Sequence, residues 1–444
     1  MIEMTPEIVT ILMLGGLIAG VLSGFPLALP IGTIAFVVGY LLFGNNVLPM
    51  MYAQAFSILH SYVLLALPLF ILMGVILEYT GIADRMYDAL FLILSGFRGG
   101  LAIITVVLGT LLAACVGVVS ASVTMLSSLA LPSMIKRGYD KSLASGTVCA
   151  AGSLGILIPP SIMLVIYGPL AMISVGKLFM GAMFPGLLLG FLYCSYIAVR
   201  CFLKPHLAPA IPKEERRVPV LYKLRLLLTS GFPLLAIILS VLGTIFAGIA
   251  PPTEAAAVGA FACLLLAVAY RKLKWSTLKD IGRRTLQINS MAVFIGAMSV
   301  AYTSVFLTAG CGGVVERLVL AAPGGRWGAF AVVMFVYFIL GFFIDFIGIF
   351  FIMVPVMAPL APILGFDPLW FGIMICVNLQ MSFLTPPYAF AIFILRGVAP
   401  PELGVTTADI IRGVIPFVVL IIVGLAICIV FPETITWLPS QMIK

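Results

Sequence analysis

The sequence predicts an all-α protein that crosses a membrane many times. Hydrophobic residues make up 63% of its 444 positions, charged residues make up only 9%, and the mean hydropathy is +1.26. Soluble domains usually carry about 25% charged residues. The net charge of +8 comes from basic residues in short clusters between apolar segments, which is typical of membrane loops rather than of a nucleic-acid-binding surface. The composition therefore indicates a polytopic membrane protein without a separate soluble domain.

Simple spanning helices need about 20 apolar residues. Segments of this kind are 6–24, 27–44, 59–79, 178–200, 228–248, 253–270, 287–309 and 413–432. Four other apolar regions are interrupted, and these interruptions point to function.

Two of the interruptions are Pro-Pro pairs. Leu157-Ile-Pro-Pro-Ser161 and Leu384-Thr-Pro-Pro-Tyr388 lie 227 residues apart, each within a charge-free apolar run. Proline breaks a helix, and broken helices at membrane depth are tolerated where they line a cavity. We therefore predict that 142–174 and 368–395 each form one span made of two half-helices beside a binding site.

Small and polar residues interrupt the other two regions. The stretch 101–135 is interrupted by 117–124, and the stretch 327–363 is interrupted by 341–348. We predict that each stretch forms a re-entrant hairpin, in which two helices enter the membrane and meet at a tip of small or polar residues.

The two halves of the chain also resemble each other. A shift of 227 residues superposes seven identities within positions 132–161, more than a shared apolar composition explains. The matched pairs are Pro132 and Pro359, Gly138 and Gly365, Asp140 and Asp367, Cys149 and Cys376, Leu157 and Leu384, Pro159 and Pro386, and Pro160 and Pro387. The halves are therefore predicted to be duplicates.

Lysine and arginine predict the orientation, because cytoplasmic loops are enriched in them. If the base of the hairpin 101–135 is cytoplasmic, all but four of the 24 lysines and arginines lie on that side. The exceptions are Lys177, Arg317, Arg326 and Lys444. Both termini then lie outside the cytoplasm, and the two halves are inverted repeats, as in transporters that alternate access to a central site.

This organisation divides the chain into five predicted parts. They are N-terminal scaffold helices (1–58), a first repeat (59–202), cytoplasmic loops with a connecting helix pair of the scaffold (203–286), a second repeat (287–432) and a C-terminal tail (433–444). The hairpins and broken helices should meet at one depth. Half-helix N-termini there attract an anion, and half-helix C-termini attract a small cation such as Na⁺. The four interrupted regions contain no lysine or arginine, so backbone dipoles are the expected anchor for an anion.

Side chains near the first tip are candidates for this site. They are Ser120, Ser122 and Thr124 on the hairpin and Gly152, Ser153 and Gly155 on the facing helix. The hydroxyl groups can bind a cation, and the glycines let the facing helix unwind. Ordinary capping and close helix packing would explain the same residues.

At the second tip, Asp345 is the one acid predicted to lie deep in the membrane. Glycines 341 and 348 flank it, and the facing polar residues are Asn378, Gln380, Ser382 and Thr385. An intramembrane carboxylate is costly and indicates a functional site. Binding Na⁺, carrying a proton and capping the second half-helix remain three open roles for Asp345.

Four motifs along the chain form a pattern typical of one transporter family. They are the hairpin sequence Ser-Ala-Ser-Val-Thr at 120–124, Gly152-Ser-Leu-Gly-Ile-Leu-Ile-Pro-Pro-Ser161, Asn378-Leu-Gln-Met-Ser-Phe-Leu-Thr-Pro-Pro387 and Arg396-Gly-Val-Ala-Pro400. Together they resemble the large membrane (M) subunit of tripartite ATP-independent periplasmic (TRAP) transporters, over essentially the whole chain. The resemblance implies an ion-transporter-superfamily fold in a bacterial inner membrane, with a scaffold, a mobile transport domain and Na⁺-coupled, elevator-type uptake of an organic acid.

The resemblance also implies partners and binding residues. The partners would be a small four-helix membrane subunit (Q) and a periplasmic substrate-binding protein (P). One Na⁺ site would use Ser120, Ser122, Gly152, Ser153, Gly155 and Pro159, and a second would use Gly341, Asp345, Gly348, Asn378, Gln380 and Thr385. The substrate would lie near Ser122, Thr124, Ser161 and Thr385.

Two other classes of protein compete with this interpretation. A self-sufficient Na⁺/carboxylate symporter of the same superfamily is the alternative, and it would work without a binding protein. A membrane enzyme is not expected, because the chain has two scattered histidines and one predicted midplane acid, with no nucleophile and base in a recognisable pattern.

Overall fold

The predicted all-α class is confirmed. A computed structural model describes residues 4–94, 96–210, 219–387 and 389–442. All regular structure in these ranges is helical, and seven of the described helices are long and apolar enough to cross a membrane. Part of the predicted cytoplasmic loop, 211–218, and Tyr388 of the second Pro-Pro motif lie outside the described residues.

The first half of the chain forms helices joined by short turns. They are α1 (Pro6–Leu22), α2 (Ala28–Phe43), α3 (Val47–Leu59), α4 (Ala66–Thr80), α5 (Ile82–Leu94), α6 (Gly100–Val116), α7 (Val119–Lys136), α8 (Lys141–Ser153), α9 (Ile162–Leu170) and α10 (Val175–Leu203). The sequence patterns did not predict α3, because its 13 residues are too few to span a membrane alone. A short 3₁₀ turn, Gly44–Asn46, joins it to α2.

The second half begins with two helices that pack against the first half. Its helices are α11 (Val220–Phe246), α12 (Pro252–Ala269), α13 (Trp275–Thr308), α14 (Cys311–Leu320), α15 (Gly325–Leu340), α16 (Phe346–Met357), α17 (Leu360–Ile363), α18 (Pro368–Leu384), α19 (Phe390–Val398), α20 (Thr407–Val430) and α21 (Glu433–Ser440). The helix α21 occupies most of the segment predicted as a tail.

The long helix α13 starts 12 residues before the apolar segment that predicted it. Lys279, Arg283 and Arg284 are exposed near its start, so the helix continues past its apolar part with its charges in solvent. It runs through the boundary at 286/287 that the sequence placed between the connecting pair and the second repeat.

Both Pro-Pro motifs interrupt helices as predicted. The first lies between α8 and α9 and the second between α18 and α19, and the Pro159–Pro160 and Pro386–Pro387 peptide bonds are both cis. The stretches around 101–135 and 327–363 form helical hairpins, α6 with α7 and α15 with α16. That these hairpins re-enter the membrane remains a prediction.

The helix starts repeat the spacing seen in the sequence. The helices α7 and α16 begin at Val119 and Phe346, and α8 and α18 begin at Lys141 and Pro368, each pair 227 residues apart. The predicted duplication therefore extends to the positions where half-helices begin.

Hydrogen bonds and one ion pair join segments that are distant in the sequence. The Asp140 N–H donates a hydrogen bond to the Leu207 carbonyl (2.8 Å), and Lys141 Nζ donates one to the Gly404 carbonyl (2.8 Å). The first turn of α1 is joined to α14 by an ion pair between Glu7 and Arg317 (2.9 Å). The two hydrogen bonds join connections that the lysine and arginine pattern assigns to the cytoplasm.

Candidate functional site

A cavity of about 80 Å³ lies where the starts of four half-helices meet. The helices α7, α9, α16 and α19 all contribute their first residues to its wall. Its lining consists of Ile71, Val118, Val119, Ser120, Ile162, Ile288, Met291, Ala292, Asp345, Phe346, Ile347, Phe383 and Phe390. We call it the tip cavity. Both hairpin tips and both broken helices therefore meet at this cavity, and their common depth in the membrane remains a prediction.

The first tip is a sharp turn. Gly117 adopts a left-handed conformation (φ 62°), which ends α6, and the extended residue Val118 leads directly into α7. A side chain at position 117 would press on Ile162 of α9, 3.2 Å away, so glycine suits both the backbone and the space. Among the described residues, no side chain caps α7. Its first amides are therefore available at the tip cavity.

The second tip is longer and carries a carboxyl group. Residues 341–345 connect α15 to α16, and the Asp345 carboxylate accepts a hydrogen bond from the Ile347 N–H (3.3 Å). Asp345 therefore caps α16, which is one of the three roles left open by the sequence. The same carboxylate also lines the tip cavity, so capping does not remove it from the site.

Of the candidate residues in the first half, only Ser120 is among the described residues that line the tip cavity. Ser122 is fully buried, and a Cβ at Gly155 would approach its Oγ to 2.9 Å. Gly152 packs against Val123, 2.4 Å from where its own Cβ would lie. These two glycines let the broken helix α8 and its continuation approach α7 closely.

The remaining first-half candidates make local contacts or stand apart. Ser153 Oγ donates to the Ala150 carbonyl (2.9 Å), and Ser161 Oγ donates to the Ile156 carbonyl. Pro159 is buried, and Thr124 is half-buried outside the cavity lining. The Ser161 bond closes the chain around the first Pro-Pro pair.

Three of the second-half candidates lie where α18 packs against α15, the first arm of the second hairpin. Asn378 Nδ2 donates to the Met334 carbonyl (2.7 Å), and Ser382 Oγ donates to the Phe338 carbonyl (3.0 Å). Gly341 packs directly on Ser382. These contacts hold α18 against α15 rather than pointing polar groups into the cavity.

Three further second-half candidates differ in their surroundings. Thr385 Oγ1 donates to the Met381 carbonyl (2.8 Å), and Gly348 faces Leu27 and Ile295. Gln380 is fully buried, and neither its amide nitrogen nor its amide oxygen has a hydrogen-bond partner among the described residues. Gln380 is therefore the strongest of these candidates for a ligand contact that this conformation leaves unmade.

The sequence missed the wall that faces the two tips. Ile71 of α4 and Ile288, Met291 and Ala292 of α13 close the tip cavity on that side. Apolar residues in membrane helices carry no individual signal of this kind, because most of their neighbours are apolar too. Only the packing of α4 and α13 against the hairpins identifies them.

The size and chemistry of the tip cavity limit what it can hold. A water needs about 10–15 Å³ of such volume, so roughly 80 Å³ admits an ion or a carboxylate group with a few waters. A second cavity of about 530 Å³ shares Ala292 with it and extends along α13 towards Phe351 and the start of α4.

Comparison with known proteins identifies the family of this chain. The family model described as "Tripartite ATP-independent periplasmic transporter, DctM component" matches residues 14–434. The chain belongs to this family. The resemblance seen in the sequence motifs is thereby confirmed.

Relatives of the TRAP permease match it along nearly their whole length. The C4-dicarboxylate TRAP transporter large permease protein DctM of Pseudomonas aeruginosa is 33% identical over 403 residues, which cover 90% of this chain and 92% of the relative. The ectoine TRAP transporter large permease protein TeaC of Halomonas elongata is 29% identical over 430 residues, covering 96% and 97%. The chain is therefore a large permease subunit and a multi-pass inner-membrane protein, and the expectation that it is not an enzyme is confirmed.

A solved structure shares the fold of the TRAP permease. The YdaH transporter of Alcanivorax borkumensis, described as having an unusual topology, matches with a TM-score of 0.60 over 88% of this chain and 89% of its own. Its sequence identity is 16%, so the similarity concerns the fold alone.

Proposed function

We propose that this TRAP permease couples Na⁺ entry to the uptake of an organic anion, and that both bind at the tip cavity. The observation that carries the proposal is the meeting of four half-helix N-termini and one carboxylate at a single cavity. Helix N-termini stabilise an anion, and a carboxylate oxygen is a suitable ligand for a small cation. One site of this kind can hold both charges side by side.

The two tips would divide the ligands between them. The uncapped first turn of α7 favours the carboxylate of the substrate, whereas Asp345 repels that carboxylate and attracts Na⁺. A bound Na⁺ would offset the charge of Asp345 and make the cavity more favourable for the anion. The affinities of the two ligands would then rise together, which is the basis of coupled uptake.

We also propose an elevator movement for the TRAP permease. The hairpins and broken helices would move as one body against α4 and α13, whose cavity-facing side chains are apolar. Sliding along an apolar wall breaks few polar contacts. One polar contact between the two bodies is the hydrogen bond that Thr303 Oγ1 of α13 donates to the Phe351 carbonyl of α16 (2.9 Å).

The substrate and the partners form the last part of the proposal. One relative is named for C4-dicarboxylates and another for ectoine, and the chemistry of the tip cavity favours an anionic group. The chain is a component of a tripartite transporter family, so we propose that it works with a small four-helix membrane subunit and a periplasmic substrate-binding protein. A carrier that releases its ligand above a weak site raises the effective concentration there.

Uptake into proteoliposomes tests the proposal. The substrate would first be chosen by a thermal-shift screen of the binding protein encoded beside the permease against organic acids. Uptake would then be measured with the permease alone, with the small subunit, and with both partners, with and without an inward Na⁺ gradient. We expect uptake only with both partners and the gradient.

Each departure from that result has a separate meaning. Full Na⁺-driven uptake by the permease alone would favour the self-sufficient symporter. Equal uptake with and without the gradient would reject Na⁺ coupling while leaving the family assignment in place.

A further inference from the structure

A groove on the outside of the bundle runs between α10 and α20. The two helices pack closely at its floor, where Leu189 lies against Gly424 and the rings of Tyr193 and Tyr196 contact Phe417 edge-on at 5.1 and 5.4 Å between centroids. Two cavities of about 550 and 610 Å³ follow each other along α10, the first bordered by α20 and α21 and the second by α20.

The length and walls of the groove match a lipid environment. From Phe184 to Lys204 it covers about 30 Å at 1.5 Å per residue, which is the thickness of the hydrocarbon core of a bilayer. Its rim consists of exposed apolar side chains, among them Phe191 (68% exposed), Val199 (59%) and Leu203 (71%). In a membrane-spanning protein these residues face acyl chains rather than water.

The two ends of the groove carry opposite charge. Arg200 and Lys204 line the end near the C-terminus of α10, where basic connections gather, whereas Glu433 lines the opposite end. Arg200 donates a hydrogen bond to the Tyr196 hydroxyl and lies 5.5 Å from the centre of that ring, which holds the guanidinium at the groove. Within the described ranges neither Arg200 nor Lys204 forms an ion pair.

We propose that this groove binds an anionic phospholipid of the cytoplasmic leaflet. One acyl chain lies between α10 and α20, and the phosphate contacts Arg200 and Lys204. Guanidinium and ammonium groups are the protein donors best suited to phosphate, and cations at the cytoplasmic membrane surface attract anionic lipids. Glu433 repels a phosphate at the far end, so the charges select one orientation of the lipid.

Native mass spectrometry of the full-length permease in detergent tests this site. The protein would be titrated with phosphatidylglycerol and, separately, with phosphatidylcholine of the same acyl chains. We expect tighter binding of phosphatidylglycerol, and a roughly 30-fold loss of that affinity in Arg200→Gln/Lys204→Gln because two surface cations are removed. Phosphatidylcholine carries the same phosphate but no net charge, so its affinity should fall by a clearly smaller factor in this variant.

The matched control removes two exposed cations from another cytoplasmic connection, as Lys272→Gln/Lys274→Gln. An equal loss in this control would mean that net charge, and not the groove, attracts the lipid, and would overturn the proposal. Equal affinity of the original protein for the two lipids would also overturn it. Soluble glycerol phosphate would be tested as a competitor, and full displacement of lipid by it would identify a free-phosphate site instead.

A second variant keeps the proposal testable if the charge variant is unstable. Val199→Trp fills the groove at an exposed position without changing any charge. We expect it to lose phosphatidylglycerol binding, because the acyl chain no longer fits beside α20. Unchanged binding in this variant would reject the groove as the lipid site.

Discussion

The two halves of the TRAP permease begin their half-helices at equivalent positions but form different tips. The first hairpin turns within Gly117 and Val118, whereas the second uses the five residues 341–345. Asp345 caps α16 at the second tip, and among the described residues no side chain caps α7 at the first. Equivalent helix starts can therefore carry different groups at one cavity, a short backbone turn at the first tip and a carboxyl group at the second.

Away from the tip cavity the halves remain alike. Asp140 caps α8 by accepting from the Leu143 N–H, and Asp367 caps α18 by accepting from the Trp370 N–H, both at 2.9 Å. The short helices α5 and α14 precede the two hairpins at corresponding places. The difference between the halves is thus greatest where ligands are proposed to bind.

The largest expected effect is a difference in reporter activity, which tests whether the two halves are inverted in the membrane. Alkaline phosphatase fused after Gln441 should be active, and the same enzyme fused after Lys274 should be inactive, because the lysine and arginine pattern places these positions on opposite sides of the membrane. The measurement is phosphatase activity in intact cells. The reverse pattern would contradict both the orientation and the inverted repeat.

A large loss of stability should distinguish two glycines at the broken helices. A Cβ at Gly146 of α8 would lie 2.1 Å from the Gly413 carbonyl oxygen of α20, whereas a Cβ at Gly372 of α18 would meet the Tyr167 ring at 2.5 Å. Backbone cannot move aside as a side chain can, so Gly146→Ala should cost about 3 kcal/mol or more and Gly372→Ala about 1–2 kcal/mol. Thermal unfolding of the purified variants measures both. Equal losses would mean that the two broken helices are packed equally tightly.

A smaller effect on coupling should distinguish the two tips. Asp345→Asn keeps the shape and the capping ability of the side chain but removes its charge. We expect the Na⁺ concentration for half-maximal uptake to rise roughly tenfold, which corresponds to about 1.4 kcal/mol. Ser120→Ala, at the uncapped tip, removes a hydroxyl group rather than a charge and should raise that Na⁺ midpoint by a smaller factor. An unaltered midpoint in Asp345→Asn would restrict Asp345 to its role as a cap.

The smallest effect should be the same in both halves. Asp140→Ala and Asp367→Ala each remove an N-cap of equal geometry, so each should lower the free energy of unfolding by about 1 kcal/mol. Denaturation of the two variants in the same detergent compares them. Costs that differ by more than twofold would show that the matching caps are not energetically equivalent.

Local signals explain how much could be predicted from the sequence. Proline pairs, the glycine at 117 and the acid at 345 act on the backbone within a few residues, so the two breaks, the two hairpins and the 227-residue spacing were predicted close to their observed positions. Of the predicted site residues, Ser120 and Asp345 reach the tip cavity. Asn378 and Ser382 were predicted to face Asp345 but bind carbonyls of α15 instead. The spacing of residues along a helix shows which side of the helix a residue lies on, but it does not show which other helix packs against that side.

The sequence by itself determined the membrane class, the duplication, the family and the places where helices break, because each depends on composition or on residues near one another in the chain. Tertiary structure alone decided which helices close the tip cavity. Ile71 and Met291 are indistinguishable in sequence from the many apolar residues that face lipid. Their role follows from the packing of α4 and α13 against both tips, which are brought together by contacts between residues more than 200 positions apart.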